Sequence, residues 1–334
     1  MFSLEDLKKN NYKYYEEEKT SMKFIVLWHH KVLCESAYGL SHALDLMSIK
    51  NECVHSKDRI IHDTGDVYIV VGVHHFENLP GNYIVAQTEQ PGSNWFNPSL
   101  FKAFDGSMGI IEFSPRLNQK WKSMGYKSHY VPIRIPMDMF IDIGTKDIFF
   151  TDAPKDIDVL FYGGRRDRRV ILENRLKKRF PQKKIVFRYY DLFGEERERF
   201  IARSKIVLNT HFWPESSLET HRIEYLMARG KCVVSERSMD RDLDEEYSKA
   251  VNFCTYDSME ETITMLLRDP EKIKSCGRRA RILSENHQFD MKPLRKALGG
   301  CILVPRESKP KTLVNFVNPE NKESIEKESI ECAA

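Results

Sequence analysis

Between Ser204 and Glu236 the chain reads SKIVLNTHFWPESSLETHRIEYLMARGKCVVSE, and no other stretch concentrates as much side-chain chemistry. A guanidinium such as Arg222 clamps phosphate through paired hydrogen bonds. In the first turns of a helix the unpaired N–H groups and the helix dipole favour an anion as well. Glu219, three residues earlier, shares a helix face with Arg222 at that spacing. The bland reading is an ordinary surface ion pair, which is weak. The other is a phosphate site, because His211, Trp213, His221 and a carboxylate gather where plain surface does not require them.

The elements that must position these groups are legible around them. Lys205–Asn209 is an aliphatic run of strand length, Leu218–Ala228 is helical, and Cys232–Ser235 is a second buried strand after Gly230. Strand, loop, helix and strand make the unit of a parallel sheet, whose ligands lie beyond the carboxyl ends of the strands. That rule puts Asn209, His211, Glu219, Arg222, Ser235 and Glu236 at a ligand. Upstream, Asp158–Tyr162 (DVLFY) ends in Gly163, Gly164, Arg165 and Arg166, with Arg168 and Arg169 opening a helix that continues to about Arg179. Paired glycines admit close backbone approach, and arginines at a helix start suit phosphate; simple solubility is the alternative. Neither GxxxxGK[ST] nor GxGxxG is present.

The first half repeats the pattern. Met22–Trp28 is a strand followed by His29, His30 and a helix to about Lys50. Asp66–Gly72 ends at His74 and His75, Asn82–Gln87 at Thr88, Glu89 and Gln90, and Gly109–Phe113 at Ser114; Tyr130–Ile133 is a further strand. His74, His75 and Glu89 are candidates for a catalytic base or an acceptor contact, against the alternatives of a capping histidine or an arginine-paired carboxylate. Trp95, Phe96 and Phe101 are either core or an apolar platform for a sugar ring. Beyond residue 158, Ile185–Tyr189 and Val251–Cys254 are strands, and Glu195–Arg203, Glu260–Arg268 and Pro270–Glu285 are helices.

With 334 residues, 41% hydrophobic and 30% charged, the chain has room for two domains. The expected division is a charged leader over 1–21, a first domain over 22–140, a second over 150–285, a segment over 286–310 returning to the first domain, and a polar tail over 311–334 with a duplicated KESIE. The linker is placed in the Pro-, Asp- and Gly-rich stretch 136–158. A net charge of +3 does not indicate a dominant electrostatic grip on nucleic acid. Seven cysteines without a CxxC pair favour reduced thiols and a cytoplasmic setting, with no structural metal. No apolar stretch approaches the roughly 20 residues that span a bilayer, and the amino terminus lacks the apolar core of a secretory signal.

Residues 156–256 resemble the donor-binding half of GT-B glycosyltransferases, in particular the group 1-like enzymes of viruses and bacteria. The residues that carry this are DIDVLFYGG followed by RR, then SKIVLNTHFWP, LETHRIEYLMARGKCVVSE and AVNFCTY, with fainter echoes in YIVAQTEQ, GIIEFSP and SHYVPI. The resemblance implies an α/β protein of two Rossmann-like domains with parallel sheets facing across a cleft. It implies a nucleotide-diphosphate sugar held by the second domain, a glycan or other hydroxyl acceptor held by the first, and neither metal nor other cofactor. Gly163, Gly164 and Arg165 would lie by the diphosphate and Arg222 on its phosphates. Glu219 or Glu224 would hold ribose or sugar hydroxyls, and Ser235 and Glu236 would lie near the nucleotide. The retaining pattern of two glutamates eight positions apart is not kept, for Ser217 and Tyr225 stand in their places.

Breaking a sugar–phosphate bond passes through an oxocarbenium-like state and leaves a diphosphate whose charge must be met, here by Arg165, Arg168 and Arg222. An inverting enzyme also needs a base, for which His74, His75 and Glu89 are the nominees. The rival readings are a sugar-nucleotide epimerase of the same fold, a nucleic-acid base glucosyltransferase, disfavoured by the modest charge, and a non-catalytic sugar-nucleotide binding module.

Overall fold

The computed structural model describes residues 22–56, 65–132, 153–287 and 291–303. The expected leader, the tail, Ile133 and most of the linker lie outside the described residues. The first domain contains Phe24–Trp28 (β1), a 3₁₀ turn at Lys31–Leu33, Cys34–Leu46 (α1), Asn51–His55 (β2) and Val67–Val71 (β3). A second 3₁₀ turn at Val73–His75 leads to Tyr83–Gln87 (β4), Pro98–Gly106 (α2), Gly109–Glu112 (β5), Pro115–Ser123 (α3) and Ser128–Tyr130 (β6). The strands form one parallel sheet in the order β2-β1-β3-β4-β5-β6. β3, β4 and β5 are buried along their whole length, as in a sheet covered on both faces. β2 (NECVH) buries only Val54 and forms the sheet edge, which is why its sequence carries no strand pattern.

The second domain runs Ile157–Gly163 (β7), Asp167–Arg179 (α4), Ile185–Tyr189 (β8), Gly194–Arg203 (α5), Ser204–Asn209 (β9), Thr220–Ala228 (α6) and Cys232–Glu236 (β10). It continues through Arg241–Tyr247 (α7), Asn252–Cys254 (β11), Met259–Leu267 (α8) and Pro270–His287 (α9). Its parallel sheet has the order β11-β10-β9-β7-β8. Lys292–Leu303 (α10) then packs on β5 and β6 of the first sheet, burying Leu294, Ala297, Leu298 and Cys301. Among the described residues no helix is long and apolar enough to cross a membrane.

Each sheet reverses its direction of growth once, between β1 and β3 and between β7 and β9, and such switch points open crevices at the carboxyl ends of strands. Residues at those ends in both domains line one cleft of about 920 Å³. The two lobes touch at its floor. Ser114 Oγ donates to Asp240 Oδ1 at 2.7 Å, Ser217 N–H donates to Gln90 Oε1 at 2.9 Å, and Arg197 pairs with Glu35.

Candidate functional site

The wall contributed by the second domain begins where β7 ends. Gly163 has φ of 146°, and a Cβ there would stand 2.9 Å from Arg222 Nη2. Backbone and guanidinium meet only because no side chain intervenes. Arg222, in the first turn of α6, donates to the Tyr162 carbonyl and lies 4.7 Å from the centre of the Tyr162 ring. Beneath it Arg169, 4% exposed, donates to Gly164 O at 2.9 Å and to Thr210 O at 3.1 and 2.6 Å. Burial, with the charge of Arg222, pushes Arg169 down to about 9. Among the described residues neither guanidinium makes an ion pair, so the turn keeps a positive charge suited to an anion. Tyr190, at φ of 61° in the left-handed region that side chains avoid, presents its exposed ring at the same rim and donates to Arg165 O at 3.3 Å.

Glu219 lines the cleft but does not pair with Arg222. It precedes the first helical residue of α6 with a non-helical backbone, so the helical spacing that would join the two does not apply. Its Oε2 accepts from Asn209 Nδ2 at 2.9 Å and lies 2.8 Å from His211 Nδ1. Burial by itself raises Glu219, but His211 and Asn209 outweigh it and hold the carboxyl down at about 2. Burial lowers His211 in the same way, and the charges of Glu219 and Glu236 outweigh it and raise it.

Several residues expected at the donor stand behind this wall instead. Arg168 makes a two-pronged pair with Glu236 at 2.8 and 2.6 Å, donates to His211 O at 2.5 Å, and covers the Tyr256 ring at 4.5 Å. Glu236 also accepts from His211 N–H at 3.1 Å and from Thr210 Oγ1 at 3.2 Å. Each charge is spent on the other, because two strand ends bring residues distant in sequence together. Ser235 Oγ accepts from Asn209 Nδ2 at 3.0 Å and is fully buried. Asn209, His211 and Ser235 therefore hold Glu219 from behind, and with Arg168 and Glu236 they are not among the residues lining the cleft. Arg165 is exposed and also outside the lining. Arg169, buried with Leu172 and Leu176 on the inner face of α4, is likewise outside the lining and braces Gly164 from behind. Glu224 faces the core, accepting from Tyr247 Oη at 2.5 Å and standing 2.9 Å from His287 Nδ1. Ser217 and Tyr225 both line the cleft, and Tyr225 Oη accepts from Arg197 Nη2 at 2.7 Å.

On the first domain's wall Glu89, just past β4, lines the cleft. Its Oε1 lies 3.0 Å from His74 Nε2, and its Oε2 accepts from Ser93 Oγ at 2.7 Å. Burial raises this carboxyl, yet His74 and Ser93 together keep it below its ordinary value. His74 and His75 sit on the second 3₁₀ turn, behind Glu89 and outside the lining. Burial, with repulsion from His74 and His30, pushes His75 down to about 3, so it is a neutral imidazole. It stacks on His30 at 5.3 Å, and His29 and His30, not singled out from sequence, line the cleft. Of the aromatic loop, Phe96 and Phe101 pack on buried Trp121 as core, whereas Trp95 is 48% exposed and 5.2 Å from His74. Burial pushes cleft-lining Glu112 up to about 8, although Trp121 Nε1 donates to it at 2.7 Å and the Phe113 N–H at 2.8 Å. Among the described residues no group of three or more His, Cys, Asp or Glu is placed to hold a metal ion.

Residues 150–291 match the family model described as glycosyl transferase-like. An uncharacterized protein of Acanthamoeba polyphaga mimivirus is 28% identical over 121 residues, which cover 36% of this chain and 39% of that relative's length. Anabaena HepE, solved with UDP and glucose, superposes with a TM-score of 0.51 at 10% identity, covering 83% of this chain and 98% of HepE. The sucrose-phosphate synthase of Thermosynechococcus elongatus gives 0.50 at 11% identity, covering 83% and 99%. A DNA-modifying β-glucosyltransferase, solved with and without uridine diphosphoglucose, gives 0.50 at 12% identity, covering 85% and 100%. At such identities the likeness is one of fold. The chain has the two-domain fold of the GT-B glycosyltransferases, and its likeness to the glycosyl transferase-like family model lies in residues 150–291.

Proposed function

We propose that the protein transfers a sugar from a nucleotide-diphosphate sugar to a hydroxyl of a glycan or other acceptor. The observation that carries this is the pairing of opposed walls in one cleft. Arg222, bonded to the Tyr162 carbonyl, lines the cleft beside the Gly163–Gly164 turn with Arg169 behind it, and Glu89 backed by His74 stands on the other domain. The diphosphate lies against Gly163 and Arg222, the nucleoside base against the exposed Tyr190 ring, and donor hydroxyls near Glu219. Glu89 takes the proton of the acceptor hydroxyl as its oxygen attacks the anomeric carbon. The sugar–phosphate bond breaks, and the electron pair leaves with the diphosphate, whose charge Arg222 meets. His74 orients Glu89. A single displacement of this kind inverts the anomeric centre, and cleft positions Ser217 and Tyr225 supply no second carboxylate. The reading includes no metal, so transfer continues in a chelator, and the free thiols among the described residues fit a cytoplasmic setting.

The test is a thermal-shift panel of nucleoside diphosphates and nucleotide sugars, since a ligand of the folded state raises Tm. One nucleotide is expected to respond, and the Arg222→Ala variant to lose the response and about 10²–10³-fold in transfer rate. A panel with no responder overturns the reading.

A further inference from the structure

A second cavity, of about 360 Å³, opens at the opposite end of the second sheet, where β9 and β10 begin. Its rim is basic. Lys205 is neutralised by Asp158 at 2.7 Å, Lys274 by Glu271 at 2.7 Å and Arg229 by Glu198. Lys231 and Lys155 differ. Lys231, 7% exposed, donates to the carbonyls of Ala202 at 3.1 Å and Ser204 at 3.3 Å, and Lys155 donates to the same Ala202 oxygen at 2.5 Å. Among the described residues neither ammonium meets a carboxylate, and both converge on one oxygen.

Like charges held that close in a partly dry site repel, and a buried ammonium without a counter-ion is costly. Burial, then Lys155, accordingly pushes Lys231 down to about 7. An anion seated between the two ammonium groups removes both penalties. Ile201, Pro270 and Ile273 add apolar surface to the same lining.

We propose that this cavity is a second ligand site that binds a phosphoryl dianion, free or as a small monoester, apart from the cleft. A buried chain of polar contacts joins the two. Arg229 and Glu198 line the cavity, Tyr225 and Arg197 line the cleft, and the contacts run from Arg229 to Glu198, Tyr225, Arg197 and Glu35 of the first domain.

The experiment is calorimetric titration of the full chain with inorganic phosphate, and separately with a hexose 6-phosphate. Saturable binding by at least one is expected, undisturbed by saturating nucleoside diphosphate and retained by Arg222→Ala. It should weaken about tenfold in Lys155→Glu, an exposed change that leaves the fold intact even if Lys231→Gln does not. Binding by the sugar phosphate alone identifies a monoester site. The proposal is overturned if neither ligand saturates in the millimolar range, if nucleoside diphosphate displaces both, or if Lys155→Glu binds as the parent does.

Discussion

Glu89 and Glu219 show how a neighbour decides what a carboxylate does. Both line the cleft and are driven toward the ionised form by a histidine, Glu89 by His74 on the first domain and Glu219 by His211 on the second. Glu89→Gln keeps the shape and removes the base, so kcat should fall about 10²–10⁴-fold with donor binding unchanged, as read by single-turnover kinetics and calorimetry. Retained turnover would remove Glu89 from that role. The Glu219–His211 pair makes a pH-dependent contribution to stability. Glu219 is depressed from 4.5 to about 2, so its share is complete above pH 4.5 and lost as pH falls toward 2. His211 is raised above 6.5, so its share is complete below pH 6.5 and lost as pH climbs through its folded value. The stability deficit of Glu219→Gln, followed by denaturant unfolding across pH, should therefore be largest between those limits, at about 1–2 kcal/mol, and shrink on both sides. A deficit that does not vary with pH would contradict the pairing.

At the scale of elements, the site depends on how closely α9 and α6 are allowed to approach the second sheet. A Cβ on Gly277 of α9 would fall 2.2 Å from the carbonyl oxygen of Gly230, at the turn joining α6 to β10. Gly277→Ala forces that contact apart and should cost about 1–3 kcal/mol by overpacking, seen as a lowered melting temperature. An unchanged melting temperature would mean that α9 shifts freely. α6 is also where sequence spacing misled. Glu219 and Arg222 share a face only if both are helical, and the helix begins between them. Elsewhere the sequence itself marks where helices begin. α2 and α3 each open with a proline after a capping side chain, Asn97 accepting from Ser99 N–H at 2.9 Å and Ser114 from Leu117 N–H at 3.1 Å.

For the whole molecule, the lobes meet through apolar contacts such as Phe113 against His221 at 4.8 Å and through polar bonds around the cleft floor. Arg197 and Glu35 are mostly buried, and hydrogen bonds between charged groups are worth about 1.5–3 kcal/mol. Glu35→Gln should shift the ligand-free protein toward a more open arrangement, read as a larger radius of gyration in X-ray scattering, with donor analogue restoring the compact form. An identical scattering curve would show that this pair does not hold the lobes together.

What the sequence by itself determined is local. Continuous aliphatic runs such as FIVLW, VYIVV and YIVAQ dictate buried parallel strands, and a strand ending in Gly163–Gly164 before an arginine-rich helix marks a place for close backbone approach. What only the tertiary structure decided is which charges remain available. Arg168 and Glu236 are 68 residues apart and Arg197 and Glu35 are 162 apart, so nothing in their spacing announces that they meet. Hydrophobic periodicity acts between neighbours in the chain, whereas Coulomb attraction and burial act between neighbours in space. That difference leaves Arg222 lining the cleft, sets Arg169 behind its turn and pairs Arg168 away with Glu236.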